Sequence, residues 1–244
     1  MLKENHKVAI YLEGHFSTDY GKMGIGVLRY LSNQIVAVID SKNNGKNTNE
    51  FNSIERSVPI VSTLDAAVLN GAEVLILGIA PSGGKIPEAW FKVIESAISK
   101  NLSIINGLHD TLLSKYKNSL RNNQWIWDVR VPQFVPKIAS GKAAKLKNKR
   151  ILCVGTDMAV GKMTTSLEMH KWAIEKKINS SFIATGQIGI TITGEGIPLD
   201  AYKVDHACGA VEHMILTNQN SDWIFIEGQG SLLNPGSTAS LPLI

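Results

Sequence analysis

Short runs of apolar, β-branched residues recur along the chain and alternate with stretches whose apolar positions fall three or four apart. Val8-Ala9-Ile10-Tyr11-Leu12, Ile35-Val36-Ala37-Val38-Ile39, Val74-Leu75-Ile76-Leu77-Gly78-Ile79 and Leu102-Ser103-Ile104-Ile105 are the first four such runs. Uninterrupted runs of this length predict strands buried on both faces, the habit of parallel sheets. Between the third and fourth, Phe91, Ile94 and Ile98 recur at helical intervals behind Pro87, which predicts a helix over 88–100 with a proline at its start. Strand–helix alternation of this kind calls for right-handed crossovers and an open α/β sheet.

Trp125-Ile126-Trp127-Asp128-Val129 reads as the last strand of a first unit. Beyond it Pro132, Pro136, Gly141 and a lysine-rich stretch break the pattern, and Ile151-Leu152-Cys153-Val154 starts it again. The expected organisation is an open α/β domain over 1–135, a basic linker over 136–149 and a second α/β domain over 150–244. Ser181-Phe182-Ile183-Ala184 and the run from Asp222 to Ile226 supply the later strands of the second domain. No repeat of fixed period is visible.

Composition narrows the class. With 44% hydrophobic and 19% charged residues, the 244-residue chain buries a core and is not generally disordered. No stretch approaches the ~18 apolar residues of a membrane helix, and Met1–Lys7 lacks the apolar run of a signal peptide. Two cysteines, Cys153 and Cys208, are too few for a disulfide framework, so reduced thiols in a cytoplasmic protein are expected. The net charge of +4 is local, since Lys137, Lys142, Lys145, Lys147, Lys149 and Arg150 more than account for it. That is a solvated connector, not a nucleic-acid footprint, and neither nucleic acid nor a membrane is expected as a partner.

The strongest chemical signal follows Ile151–Val154. Gly155-Thr156-Asp157-Met158-Ala159-Val160-Gly161-Lys162-Met163-Thr164-Thr165 leads into a helical pattern with Leu167, His170, Ile174 and Ile178 on one face. A strand, a glycine-bounded loop ending in Gly-Lys and a helix form the setting of a phosphate-binding loop. Loop amides and the positive helix end face the anion, and Lys162 adds a full charge. Gly155, Thr156, Asp157, Gly161, Lys162, Met163, Thr164 and Thr165 are therefore candidate phosphate contacts. The spacing resembles the Gly-Thr-Asp-x-x-Val-Gly-Lys loop of dethiobiotin synthetase and related ATP-dependent enzymes. Met163, however, stands where a hydroxyl serves magnesium, and a thioether suits a hard cation poorly. Thr164, about 100° further round the helix, is the nearest substitute.

A second element supports the loop. Asp222-Trp223-Ile224-Phe225-Ile226-Glu227-Gly228-Gln229-Gly230-Ser231 is a strand ending in an acid and two glycines, the place where such folds put a metal or water partner. Glu227, Gly228 and Gly230 join the candidate site, and Gln187, in Thr185-Gly186-Gln187, offers a further wall.

Taken together with Val38-Ile39-Asp40-Ser41, Leu77-Gly78-Ile79-Ala80-Pro81-Ser82-Gly83-Gly84, Gly107-Leu108-His109-Asp110, Asp128-Val129-Arg130 and Ala184-Thr185-Gly186-Gln187, these motifs resemble one family. Its bacterial members join an N-terminal Rossmann-like domain to a C-terminal P-loop domain, and some, the DgcN-like proteins, are D-glutamate N-acetyltransferases. Met163 after the lysine belongs to that family's pattern. Asn234-Pro235 replaces the family's usual His-Pro, and Val204-Asp205-His206 replaces Ala-Asp-Phe. Members also continue past the position of Ile244, so the second domain is expected to be incomplete or its sheet to be finished by a partner chain.

The resemblance implies acetyl-coenzyme A as donor and D-glutamate as acceptor; separately, other copies of the chain are expected as partners. Coenzyme A presents a diphosphate without requiring magnesium, which suits Met163; ATP with Mg2+ is the alternative ligand, as in a ligase or kinase, and a non-catalytic nucleotide-binding module is a third reading. Glu227 or His109 would take the amine proton. Ser82, Gly83 and Gly84, at the carboxyl end of a strand, are the preferred contacts for an anionic substrate. Lys22 and Arg29 are further candidates. Gly21-Lys22-Met23-Gly24-Ile25-Gly26 lacks the order of a dinucleotide fingerprint. Asp40 either meets a ribose hydroxyl or caps the loop after it. His206 and His213, roughly 10 Å apart along a helix, cannot share a metal, and Asp205 and Glu212 beside them read as solvated charges.

Overall fold

The computed structural model describes residues 2–51, 54–81 and 83–234. The chain divides into two compact units, Met1–Arg130 and Val131–Ile244. Among the described residues no helix is long and apolar enough to cross a membrane.

The first unit runs β1 (Val8–Tyr11), α1 (Lys22–Tyr30), β2 (Ile35–Ile39), β3 (Ile60–Val61), α2 (Leu64–Leu69), β4 (Val74–Leu77), α3 (Trp90–Ser99), β5 (Ser103–Asn106), α4 (Leu112–Tyr116) and β6 (Ile126–Asp128). All six strands are parallel in the order β3-β2-β1-β4-β5-β6, the Rossmann arrangement, with the order reversing between β1 and β4. Every residue of β1, β2, β4, β5 and β6 is buried, as two-sided covering demands. Helix α1 lies close on the sheet because Gly24 has no side chain. A Cβ there would stand 2.7 Å from Leu12 Cδ1 and 2.9 Å from Ile10 Cγ2.

The second unit runs β7 (Lys149–Leu152), α5 (Lys162–Glu175), β8 (Ser180–Ile183), α6 (Gln187–Thr193), α7 (Val204–Thr217) and β9 (Trp223–Ile226). Its three parallel strands stand in the order β7-β9-β8. The chain steps from β7 to β8 in one direction and back to β9 in the other, so right-handed crossovers put α5 and α7 on opposite faces. Ile224 and Ile226 of β9 and Ile183 of β8 meet Ala207, Ala210, Val211, Met214 and Ile215 of α7 in one apolar cluster.

The basic stretch expected as a linker packs into this unit. Phe134, Ala143 and Leu146 lie against the α7 cluster while the six basic side chains stay exposed. Glu212 on α7 accepts from the backbone N–H groups of Ser140 (2.5 Å) and Ala143 (3.1 Å). These bonds hold its carboxyl below the usual range. It is a fastening for this segment, not a merely solvated charge. His206 Nδ1 reaches the Pro136 carbonyl at 3.2 Å, and the His213 ring lies 4.4 Å from that of Phe134. The two histidines of α7 pack on the same segment.

Candidate functional site

Residues 155–161 leave β7 and curl back over the start of α5. Ala159 (φ +57°) and Gly161 (φ +95°) are both left-handed, the turn of backbone that lets successive amides converge on an anion. The stem of Lys162 passes two bare backbones. A Cβ on Gly155 would stand 3.3 Å from its Cγ, and one on Gly228 would stand 3.2 Å from its Cδ. Lys162 Nζ donates to the Asp157 carbonyl at 2.8 Å, and burial lowers the pKa of this ammonium. The Asp157 carboxylate accepts from Asn234 Nδ2 (2.9 Å) and from the Met158 amide (2.7 Å), which together depress its pKa. Leu232 N donates to the Gly155 carbonyl at 3.0 Å, so the segment after β9 closes on the loop. Thr156 and Thr165 are exposed, and Met163 and Thr164 half-buried.

Glu227 stands at the carboxyl end of β9, 3% exposed. Its Oε2 accepts from the amides of Thr185 (2.9 Å) and Gly186 (3.1 Å), the residues leading into α6. Gln229 also bonds this carboxyl. Burial outweighs those bonds and pushes the pKa up to about 7. Glycine is needed at the neighbouring positions: a Cβ on Gly189 would fall on Glu227 Oε2 and one on Gly186 on Gln229 Nε2. Gln187, the first residue of α6, is half-buried beside this turn, and Gly230 (φ +65°) follows Gln229. The phosphate loop, Glu227, Gly228 and the Gly186–Gln187 turn therefore meet at the carboxyl edge of one sheet. Gln229 and Asn234 complete the set. Neither residue type announces a role, and only the fold brings them to Glu227 and Asp157.

In the first unit His109 lies against the glycine turn after β4. Its amide donates to the Gly84 carbonyl at 2.7 Å, and a Cβ on left-handed Gly84 would collide with the imidazole. Gly83, also left-handed, precedes it, while Ser82 lies outside the described residues. Burial first, and then the Arg130 cation, lower the His109 pKa against the opposing pull of Asp110. Lys22 and Arg29 are not brought together: one opens α1 and the other lies in its last turn, roughly 10 Å along the axis.

Backbone bonds join the segment after β1 to the segment after β4. Gly24 N donates to the Gly78 carbonyl and Ala80 N to the Tyr20 carbonyl, each at 2.7 Å. Asp40, fully buried, accepts from Gly14 N (3.1 Å), Lys42 N (3.2 Å) and Asn43 Nδ2 (2.9 Å), so it closes the loop after β2. Cys153 and Cys208 are free thiols. Among the described residues no three His, Cys, Asp or Glu side chains form a group able to hold a metal ion.

A six-stranded Rossmann-like sheet followed by a strand–loop–helix closed on a lysine defines a two-unit α/β protein of the phosphate-loop class. Residues 41–132 match the Rossmann-like N-terminal domain, and residues 137–244 the P-loop domain, of DUF1611, a domain of unknown function. The chain belongs to the DUF1611 family. A crystal structure of a DUF1611 family protein from Anabaena variabilis superposes with a TM-score of 0.94 at 46% identity, over 98% of this chain and 71% of that one. Two curated relatives are named D-glutamate N-acetyltransferase. The protein from Tritonibacter scottomollicae is 41% identical over 175 residues, covering 70% of this chain and 52% of the relative. The one from a Pseudoalteromonas species is 41% identical over 177 residues, covering 71% and 52%. The chain thus spans about half the length of these curated relatives.

Proposed function

We propose that the protein is an acetyl-coenzyme A-dependent N-acetyltransferase acting on a small amino acid, D-glutamate by analogy with its named relatives. The observation that carries this reading is the left-handed loop closed on Lys162, a geometry that suits a diphosphate, with a methionine where magnesium would need a hydroxyl. Gly155, Gly161 and Lys162 hold the donor's diphosphate. Thr156 and Asp157 shape the loop, Thr164 and Thr165 lie in the first turn behind it, and Gly228 admits the lysine stem.

Acetyl transfer requires a neutral amine, because a protonated nitrogen has no pair with which to attack a thioester. The amine nitrogen forms a bond to the acetyl carbon, the carbon–sulfur bond breaks and the coenzyme A thiolate leaves. One amine proton must go to a base. Glu227, whose carboxyl keeps its proton to about pH 7, suits that task near neutrality and lies in the same unit as the loop. His109, the other candidate base, belongs to the first unit.

The test combines calorimetry with an assay of acetyl transfer to D-glutamate. Coenzyme A is expected to bind without magnesium, Lys162→Ala to abolish that binding, and free coenzyme A to appear only with the intact lysine. Tight magnesium-dependent ATP binding with none for coenzyme A would overturn the reading in favour of a ligase or kinase. Coenzyme A binding without acetyl transfer to any amino acid would leave a nucleotide-binding module.

A further inference from the structure

The carboxyl ends of β5 and β6 carry a polar cluster to which the phosphate loop does not belong. Asn106 organises it: its Nδ2 donates to the Asp110 carbonyl (2.6 Å) and to Asp128 Oδ1 (2.8 Å), and its Oδ1 accepts from Leu108 N (3.0 Å). Both acids of the cluster accept from backbone amides, and the Asp110 charge also faces His109, raising its pKa against the pull of Arg130. Asp128 accepts from Leu112 and Leu113 at the start of α4 (3.0 and 2.9 Å), and Asp110 from Ile86 (2.7 Å). Arg130 follows β6 half-buried, with Nε donating to the Gly107 carbonyl at 2.7 Å. It lies near enough to His109 to disfavour a second positive charge there. The imidazole in turn rests on Gly84, and beside it Gly83 faces open space, with nothing within 4 Å of where a Cβ would stand.

We propose that Arg130, with His109 and the Gly83–Gly84 turn, forms a binding site for a small carboxylate at the carboxyl end of the first unit's sheet. Parallel α/β sheets take ligands at this end. Between β1 and β4 the Gly24–Gly78 and Ala80–Tyr20 bonds take up backbone groups of this edge, while Asn106, His109 and Arg130 gather on its β4–β6 side. A guanidinium matches a carboxylate in shape as well as charge. His109, whose pKa is lowered by burial and by the Arg130 cation, adds a hydrogen-bonding ring beside the guanidinium, and the pair is matched to a single carboxylate group. The site stands whether or not the phosphate loop takes coenzyme A. Only the identification of this carboxylate with that of the amino-acid acceptor rests on the acetyl-transfer reading.

The test uses the full chain with D-glutamate, glutarate and inorganic phosphate as separate probes. The His109 imidazole signal, assigned by its loss in His109→Gln, is followed by NMR across pH. D-glutamate and glutarate are expected to raise the His109 pKa, since an anion beside the ring favours its protonated form. Arg130→Gln is expected to weaken their binding about tenfold or more, as loss of a charge-assisted pair does, while coenzyme A affinity stays the same. Absence of a carboxylate-dependent His109 shift overturns the proposal, as does unchanged affinity in Arg130→Gln, or a response to phosphate alone. Should that variant fail to fold, the wild-type titration decides by itself. Carboxylate binding that obeys these expectations without any acetyl transfer would sink the transferase reading and leave this site intact. Acetyl transfer with glutamate binding indifferent to Arg130 would do the reverse.

Discussion

A carboxyl group shut away from water resists ionising, and Glu227 does so despite the amides of Thr185 and Gly186 pointing at it. The sign of the pH effect follows. In the unfolded chain this carboxyl ionises at its ordinary value of 4.5, and in the folded protein at about 7, so between those values only the folded form keeps the proton. Stability therefore falls as pH rises through that window and levels off above it, by about 3 kcal/mol in total. Glu227→Gln keeps an acceptor for both amides and has no proton to lose. Thermal melts from pH 4.5 to 8 are expected to show wild type losing stability relative to this variant as pH rises; parallel curves would mean that the carboxyl ionises normally. Glu227 was legible in the sequence because an acid at a strand end beside a Gly-Lys loop is a recognisable arrangement. Arg130 was not, because its interest comes from His109, and no spacing in the chain brings residues 109 and 130 together.

Elements proved readable where the physics is local. Runs such as Val8–Leu12 and Ile35–Ile39 became buried parallel strands because an uninterrupted β-branched segment has no polar face to expose. β3 escaped notice since its two residues, Ile60 and Val61, are too few to show a period. The segment before β7 shows a different limit. Its lysines and prolines describe its outward face, while the anchoring residues Phe134, Ala143 and Leu146 are scattered singly among them. The packing of α1 on β1 gives a test at this scale. Gly24→Ala places a methyl group within 3 Å of Leu12 and Ile10 side chains, so helix or strand must shift. Urea denaturation is expected to show a loss of about 1–3 kcal/mol, the usual cost of overfilling a tight core. An unchanged midpoint would mean that the helix moves away freely.

Across the whole molecule the two units differ in how well they cover their apolar residues. Of fourteen large hydrophobic side chains exposed among the described residues, eleven lie in the second unit, including Met169 and Trp172 on α5. Three strands cover less than six, and the edge strand β7 has no fully buried residue. The chain is expected to bind a hydrophobic dye such as ANS through this unit. Trp172→Lys should reduce that fluorescence while leaving coenzyme A affinity unchanged; undiminished fluorescence would place the exposed surface elsewhere. The first unit has the opposite character, and its seam between the loops after β1 and β4 shows what that entails. A designer who wished to turn this scaffold into a nicotinamide carrier would gain nothing by importing the missing glycines. The backbone bonds that sew the two loops together would first have to be unpicked, and the scaffold rebuilt around the gap.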